Sequence, residues 1–328
     1  MLILNAQDIN DVFPMKDAVA SNKEAFLCHS REQTEVPVRL SFSLSNDDKS
    51  QFMPAYVKGE INHVGIKIVS TFMNNPAKGL PMVTAQVLLL SPETGQVCAM
   101  MDGTELTKIR TGAISGAATD ILARKNSEVG ALFGTGGQAQ SQLEAMLTVR
   151  KLREVRIFDM KKEFVESFID KCKPLAEKHH TLLRGASSPD EAIDQADVIT
   201  TVTTSKTPVF CGKKVKGGTH VNGVGSYTPD RRELDLDLLI KSRVFVDNRE
   251  AVLAEAGDFL IPIKEKKYSS NTILGELGEV LDGKILGRQT DEDITVMKTV
   301  GYAVLDVVAA YHIYTKAVEL GKGRELTM

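Results

Sequence analysis

The sequence predicts an α/β protein with two domains, a β-rich α+β domain and a domain built on a parallel sheet with covering helices. Three observations lead to this prediction. The chain has 328 residues, a length typical of about two domains. Strand-like patterns follow one another through most of the first 102 residues, and from about residue 128 strand and helix patterns alternate.

The first third opens with a helix and continues as strands. Pro14 suits the start of a helix that runs to about Ser30, because its missing N–H costs least there. SPETG at 91–95 is typical of a turn, so residues 82–102 are expected to form a hairpin, and from Thr104 the pattern becomes helical. The strands are predicted at 36–44, 51–57, 63–72 and 81–90.

The alternating block follows, and a helical tail closes the chain. The tail from Asp291 to about Leu320 is predicted to be helical and to pack on the first domain. The predicted boundaries are 1–116 with 300–328 for the β-rich domain, and 117–299 for the α/β domain. Strands are predicted at 128–134, 154–159, 181–186, 196–204, 218–225 and 242–248, with helices at 138–151, 161–178 and 188–193.

Composition and charge exclude several classes of protein. The net charge is −3 and no dense Lys/Arg block occurs, so nucleic acid and membrane surfaces are not expected partners. No apolar run of about 18 residues and no signal peptide are found, which favours a cytoplasmic location. The six histidines have no metal-ligand spacing, so no metal site is expected. No CxxC pair occurs, and the cysteines are expected to be reduced thiols: Cys28, Cys98, Cys172 and Cys211.

A glycine-rich loop between a predicted strand and a predicted helix points to a dinucleotide. In GALFGTGGQAQSQ, Gly134 permits a tight turn, Gly136 lets backbone approach a pyrophosphate, and Ala139 allows close helix–sheet packing. The next strand ends in Asp159, placed 20 residues after Ala139, where an acid meets the ribose hydroxyls. This is the pattern of a Rossmann dinucleotide-binding domain. The carboxylate favours NAD(H) over NADP(H), although Lys161 and Lys162 weaken that preference.

A lysine in the strand HVGIKIVSTF raises the question of a substrate. Period-two alternation places Val64 and Ile66 on one face and Gly65 and Lys67 on the other. By itself the pattern favours a solvent-exposed Lys67, since lysine is rarely buried without a partner. A hydride cofactor changes this interpretation, because its substrate needs a binding group and a proton carrier.

Ordered blocks along essentially the whole chain resemble the ornithine cyclodeaminase/mu-crystallin family. The blocks are VPVRLSF, MPAYV, GIKIVSTF, GLPMVTAQVLLLSPETG, DGTELTKIRTGAISGAATDILAR, FGTGGQA, ADVITTVTTSKTPVF, HVNGVGSYTPDRREL and MKTVGYA. The resemblance implies a β-rich substrate and dimerisation domain completed by the C-terminal helix, a Rossmann domain and a homodimer. It also implies amino-acid metabolism: ornithine cyclodeamination, amino-acid dehydrogenation such as that of alanine, or reduction of cyclic ketimino acids.

The same resemblance assigns roles to individual residues. Arg39, Lys67 and Arg110 are similar to the family's substrate-carboxylate grip, and Lys67 can also carry a proton. Thr84 and Arg110 resemble contacts on the cofactor side. Matches to the dinucleotide-binding turn and to later cofactor contacts are Gly134, Gly136, Gly137, Gln138, Asp159, Thr203, Val224, Gly225 and Thr299.

Two departures from the cyclodeaminases bear on the reaction. Tyr227 stands where they carry an aspartate, so Asp230, Tyr227 or Lys67 is the expected proton carrier. Gln51 stands where they carry a glutamate for the distal amine of the substrate, which makes a diamine less suitable. The expected activity is NAD(H)-dependent interconversion of an α-imino or cyclic ketimino acid and an L-amino acid. Ornithine cyclodeaminase and a mu-crystallin-like NAD(P)H-binding protein with little turnover are the alternatives.

Overall fold

A computed structural model describes residues 1–45 and 48–327, and the chain divides into two units. Unit 1 comprises Met1–Arg110 and Tyr302–Met328, and unit 2 comprises Thr111–Gly301. The predicted boundaries at 116/117 and 299/300 lie six and two residues away from these positions. Arg110 and Thr111 are consecutive within one helix, so no turn or loop marks the division in the sequence.

Unit 1 is built on an eight-stranded sheet. Its strand order is β16-β1-β7-β6-β5-β4-β2, with β3 paired to β4, and only the β1–β7 pair is parallel. The elements are β1 (Leu2–Leu4), α1 (Ala6–Val12), α2 (Met15–Ser30), β2 (Thr34–Glu35), β3 (Leu40–Ser43), β4 (Lys49–Val57), β5 (His63–Thr71), β6 (Val83–Leu90), β7 (Val97–Asp102), the first part of α3 (Gly103–Leu122), α11 (Ala303–Leu320) and β16 (Arg324–Glu325).

One face of this sheet is covered by α11, which packs on β4, β5, β6 and α2. The helix approaches β5 closely at Gly65, where an added Cβ would lie 2.8 Å from Val307. The buried face of β5 is therefore the one that carries Gly65 and Lys67, while Val64 on the other face is 37% exposed. Periodicity alone predicts that Lys67 is exposed to solvent. This prediction is wrong, because α11 from the far end of the chain covers the face of β5 that carries Lys67.

Unit 2 is a parallel sheet of eight strands in the order β10-β9-β8-β11-β12-β15-β13-β14. Its elements are β8 (Val129–Phe133), α4 (Ala139–Val149), β9 (Glu154–Phe158), α5 (Lys162–Lys178), β10 (Leu182–Gly185), α6 (Pro189–Ile193), β11 (Val198–Thr201), β12 (His220–Gly223), α7 (Leu236–Lys241), β13 (Arg243–Val246), α8 (Arg249–Glu255), α9 (Gly257–Lys264), β14 (Ile273–Glu276), α10 (Leu277–Leu281) and β15 (Thr295–Lys298).

The sheet of unit 2 has a hydrophobic core on each face. Ala131 and Phe133 of β8 belong to the core with α6 to α9, whereas Leu132 belongs to the core with α4 and α5. Successive residues of a strand point to opposite faces, so a strand buried on both sides is apolar throughout. This arrangement confirms the predicted α/β class with a Rossmann parallel sheet.

Two sequence expectations need correction. The helix predicted from Asp291 is wrong at its start, because Thr295–Lys298 forms β15, a fully buried strand between β12 and β13. A short apolar run does not distinguish a buried strand from a buried helix. The strand predicted at 36–44 begins only at Leu40. Throughout residues 1–45 and 48–327, no helix combines the length and apolarity needed to cross a bilayer.

Candidate active site

The glycine loop of unit 2 joins β8 to α4, and no glycine side chain covers its backbone. Gly134 has a φ of +97°, and an added Cβ there would lie 2.8 Å from the Val202 carbonyl oxygen. Cβ atoms added at Gly136 or Gly137 would meet nothing within 4 Å. Gln138 is the N-cap of α4, whose first N–H groups lack helical partners. Bare backbone before a helix N-terminus fits a pyrophosphate.

A cleft of about 880 Å³ lies beside this loop within unit 2 and is lined by Gly134, Thr135, Asp159 and Thr203 among others. Its volume lies in the range of small-molecule sites. Asp159 follows β9, and its Oδ2 accepts hydrogen bonds from Thr135 N at 3.1 Å and Thr135 Oγ1 at 2.9 Å. Thr135 therefore ties the acid to the glycine loop. The residues present fit an adenine dinucleotide.

The remaining predicted cofactor residues of unit 2 follow the carboxyl ends of three neighbouring strands. Thr203 follows β11, Val224 and Gly225 follow β12, and Thr299 follows β15. Ligands of parallel sheets bind at this edge. The structure thus brings these residues to the edge at which the glycine loop also lies.

Two buried carboxylates hold these segments. Glu233 accepts hydrogen bonds from Thr203 N and Thr203 Oγ1 at 2.6 and 2.8 Å, and Asp247 accepts one from Thr299 Oγ1 at 2.5 Å. Gly301 N also donates to Asp247, at 2.7 Å. Burial raises the pKa of both carboxyl groups. Their hydrogen bonds fix the backbone at this edge, and sequence reasoning gave neither of them a role.

A buried ion cluster lies between the sheet and α11 in unit 1. Lys67 is 3% exposed, and its Nζ lies 2.7 Å from Asp306 Oδ2. Arg110 Nε donates to Asp306 Oδ1 at 2.8 Å. Asp306 is itself fully buried. Two cations thus share one carboxylate in a buried region, which leaves an excess of positive charge.

The environment of Lys67 shifts its acidity. Burial lowers the pKa of Lys67 to about 8; the Arg110 charge also lowers it and the Asp306 carboxylate raises it. Burial would raise the pKa of Asp306, but Arg110 and Lys67 hold it below its usual value. Near neutral pH, Lys67 is an ammonium ion that can donate its proton easily.

Of the other residues predicted in unit 1, Arg39 and Gln51 lie toward this cluster. Arg39 is half-buried just before β3, and its charge contributes to lowering the pKa of Lys67. Gln51 is two residues from Met53, the cross-strand partner of Lys67, so alternation places Gln51 on the same face. Thr84 pairs with Ser70 and lies on the opposite face. The structure therefore does not place Thr84 beside Lys67.

Asp230 and Tyr227, the other candidate proton carriers, lie on an exposed loop of unit 2. Tyr227 is 56% exposed, and the Asp230 side chain is 65% exposed. Thr228 Oγ1 donates to Asp230 at 2.8 Å, and this bond holds the pKa of Asp230 below its usual value. Asp230 is therefore a carboxylate at neutral pH, which accepts a proton poorly and has none to give.

Asp306 is the residue of the ion cluster that sequence reasoning missed. It lies 239 positions from Lys67, so no local motif connects them. One signal was available: in YAVLDVVAA, a single acid interrupts an apolar helix, and an acid there requires a buried partner. Over residues 1–45 and 48–327, no group of three His, Cys, Asp or Glu side chains could hold a metal ion.

The model of the ornithine cyclodeaminase/mu-crystallin family matches residues 1–321. The chain belongs to this family. The Delta(1)-pyrroline-2-carboxylate reductase of Bacillus thuringiensis subsp. konkukian is 36% identical over 328 residues, with 99% of each chain covered. The family prediction made from the ordered sequence blocks is confirmed.

Two solved structures of this family are similar over nearly the whole chain. The Delta(1)-pyrroline-2-carboxylate reductase of Thermococcus litoralis, in complex with NADH and L-proline, has a TM-score of 0.93 and 35% identity and covers 99% of this chain and 100% of its own. An archaeal alanine dehydrogenase, a dimer with bound NAD, has a TM-score of 0.91 and 32% identity and covers 100% and 99%.

Proposed function

We propose that this chain is an NAD(H)-dependent oxidoreductase that interconverts a cyclic α-imino acid, of the Δ1-pyrroline-2-carboxylate class, and the corresponding L-amino acid. The observation that carries the proposal is the buried cluster of Lys67, Arg110 and Asp306, which combines two cations with one carboxylate. Its excess positive charge suits a substrate carboxylate. The resemblance to reductases and dehydrogenases of amino and imino acids supports the same activity.

The residues of the chain divide the chemistry as follows. Arg39 and Arg110 bind the substrate carboxylate, since a guanidinium offers two parallel N–H donors. Lys67 donates a proton from Nζ to the imine nitrogen. Solvent then returns a proton to the neutral side chain of Lys67. Asp306 holds Lys67 and Arg110 in place. Gln51 is neutral and offers no anion to a distal ammonium group.

The glycine loop and Asp159 of unit 2 would hold NAD(H), which would supply the hydride needed to reduce the imine carbon. Gly134, Gly136, Gly137 and Gln138 place backbone and helix N–H groups at its pyrophosphate. Asp159 binds the adenosine ribose and disfavours a 2′-phosphate, so NADP(H) is the weaker cofactor. Thr203, Val224, Gly225 and Thr299 contact the other half. Thr84 stays a predicted contact on the cofactor side.

Among the three proton carriers considered, the acidity of Lys67 favours it. Its ammonium form has a pKa of about 8 and is buried. Asp230 is exposed and ionised, and Tyr227 is exposed. A group that donates a proton near neutral pH works best when its pKa lies close to that pH.

Two incubations test the reaction. Purified protein is mixed with NADH and pyrroline-2-carboxylate, or with NAD⁺ and L-ornithine, and reduced cofactor, proline and ammonia are followed. We expect NADH oxidation with stoichiometric proline in the first mixture and no ammonia in the second. Proline and ammonia from ornithine without net NADH would identify a cyclodeaminase instead. Binding of NADH without turnover in either mixture would identify a mu-crystallin-like binding protein.

We also propose a homodimer that forms through the uncovered face of the unit 1 sheet. Leu40, Phe42 and Val64 on this face are 55%, 50% and 37% exposed. A continuous apolar face is typical of a protein–protein interface. Phe42→Glu should shift the sedimentation coefficient from that of a dimer to that of a monomer, whereas an unchanged dimer would exclude this face. The cytoplasmic location stays a prediction.

A further inference from the structure

Glu233 is a fully buried carboxylate at the carboxyl edge of the unit 2 sheet, in the segment between β12 and α7. Its Oε1 accepts hydrogen bonds from Thr203 N at 2.6 Å and Thr203 Oγ1 at 2.8 Å. Its Oε2 accepts hydrogen bonds from Gly225 N at 2.6 Å and Ser226 N at 3.2 Å. One side chain therefore joins the segments that follow β11 and β12.

The position of this carboxylate is itself fixed from below. Asp258 Oδ1 accepts hydrogen bonds from Glu233 N at 2.7 Å and Leu234 N at 2.8 Å. Asp258 Oδ2 lies 3.0 Å from Lys298 Nζ, and both of these side chains have no exposed surface. A buried charge needs such compensation, so the network holds Glu233 in one orientation.

The segments joined by Glu233 leave little room for adjustment. A Cβ added to Gly225 would overlap the backbone of Thr203 and would also lie 2.6 Å from Glu233 Oε1. The two segments are therefore in direct contact, with the carboxylate as their common acceptor. Any change in the length or charge of this side chain moves both of them.

The positions of the segments that follow β11 and β12, relative to the glycine loop, define which part of the cofactor these segments face. The glycine loop follows β8 and Asp159 follows β9, which assigns the adenosine half to that side of the sheet. The segments held by Glu233 follow β11 and β12, on the other side of β8. A dinucleotide that extends along the edge presents its nicotinamide half to them.

We propose that Glu233 is a positioning residue for the nicotinamide half of the cofactor, acting through Thr203, Gly225 and Ser226. This inference rests on the proposed function, which assigns Thr203 and Gly225 to cofactor contacts. Glu233 touches neither cofactor nor substrate. It acts on the reaction by presetting the backbone against which the nicotinamide ring binds.

ADP-ribose separates this role from a general contribution to folding, because it has the adenosine half, the pyrophosphate and the second ribose of NADH but lacks the nicotinamide ring. Dissociation constants of NADH and ADP-ribose are measured by calorimetry for the wild type and for Glu233→Gln, which removes the charge at nearly constant shape. We expect NADH to bind roughly 10- to 100-fold more weakly, the effect of losing charge-assisted hydrogen bonds. ADP-ribose affinity should stay nearly unchanged.

A matched control and a second variant complete the experiment. Asp235 also accepts two backbone hydrogen bonds, from Gly212 N and Leu238 N, but neither residue belongs to the joined segments. Asp235→Asn should lower the unfolding temperature without separating the two affinities. Glu233→Asp, which keeps the charge but withdraws it from Thr203 and Gly225, should reproduce the selective loss and serves where Glu233→Gln is insoluble.

The outcomes separate the two proposals. Equal loss of NADH and ADP-ribose affinity, or no loss of either, would overturn the positioning role and leave the proposed function standing. A wild-type protein that binds ADP-ribose but not NADH would overturn the proposed function together with this inference. Selective loss of NADH affinity in the Glu233 variants, with Asp235→Asn unaffected, supports the inference.

Discussion

Both units bury ionisable side chains, but these side chains have different partners in the two units. In unit 1, Lys67 and Arg110 share the single carboxylate of Asp306, so positive charge is left over. In unit 2, burial raises the pKa of Glu233, while the Lys298 charge and hydrogen bonds from backbone N–H groups and a hydroxyl oppose that rise. Excess buried charge calls for a ligand, whereas a carboxyl group whose oxygens all accept backbone hydrogen bonds fixes that backbone. The difference fits the proposed substrate-binding role of the first arrangement and the proposed positioning role of the second.

The largest expected effect comes from removing the Lys67 side chain. Lys67→Ala should lower kcat for imine reduction by roughly 10³-fold, the usual contribution of a general acid, while NADH affinity stays nearly unchanged. Steady-state kinetics and NADH fluorescence titration measure the two quantities. Lys58→Ala, which removes an exposed lysine paired with Glu35, should alter neither. A parallel loss of NADH affinity in Lys67→Ala would refute the separation between the units.

Removing the shared anion should destabilise unit 1 strongly. Asp306→Asn leaves two buried cations without their partner, which costs about 3–5 kcal/mol of unfolding free energy. Chemical denaturation measures this difference. Asp11→Asn is the control, since it breaks the exposed pair with Lys322 and should change stability little. Equal stabilities of the two variants would show that the cluster is not a structural requirement.

The pH dependence tests whether Lys67 is the proton donor. Its ammonium form predominates below the pKa of about 8, so imine reduction should fall tenfold per pH unit above that pH. Oxidation of the amino acid needs the neutral form of Lys67, so its rate should rise up to that pH and level off above it. The carboxylate of Asp306 raises the pKa of Lys67, so Asp306→Asn should move the limb to lower pH. If the pH–rate profile lacks this falling limb, or if Asp306→Asn shifts the limb to higher pH, a group other than Lys67 donates the proton.

The sequence predicted the strand–loop–helix arrangement around the glycine loop but not the ion cluster of unit 1, and the reason is the distance along the chain. Gly134, Gly136 and Asp159 fall within one strand–helix–strand unit, whose local pattern defines their geometry. Lys67 and Asp306 meet only because α11 returns to cover β5. Periodicity describes the two faces of β5 but not which one a distant helix will cover.

The same reasoning explains the misassigned strand. Thr295–Lys298 is short and fully buried, and its pairing with β12 and β13 is non-local. The family resemblance assigned Lys67 to the substrate residues, and this role stays a prediction. Glu233 stood inside the quoted block HVNGVGSYTPDRREL, yet its role depends on hydrogen bonds that only the folded loop reveals.

The smallest expected effect concerns the locally defined acid of unit 2. Asp159 is partly exposed and accepts two hydrogen bonds from Thr135. Asp159→Ser removes the charge that repels a 2′-phosphate and leaves Lys161 and Lys162 nearby, so the preference for NADH over NADPH should fall by about tenfold. Ratios of kcat/KM for the two cofactors measure it. This acid is assigned to the cofactor and not to the substrate, so KM for the imine should not change. A changed KM would show that the cofactor site and the substrate site are coupled.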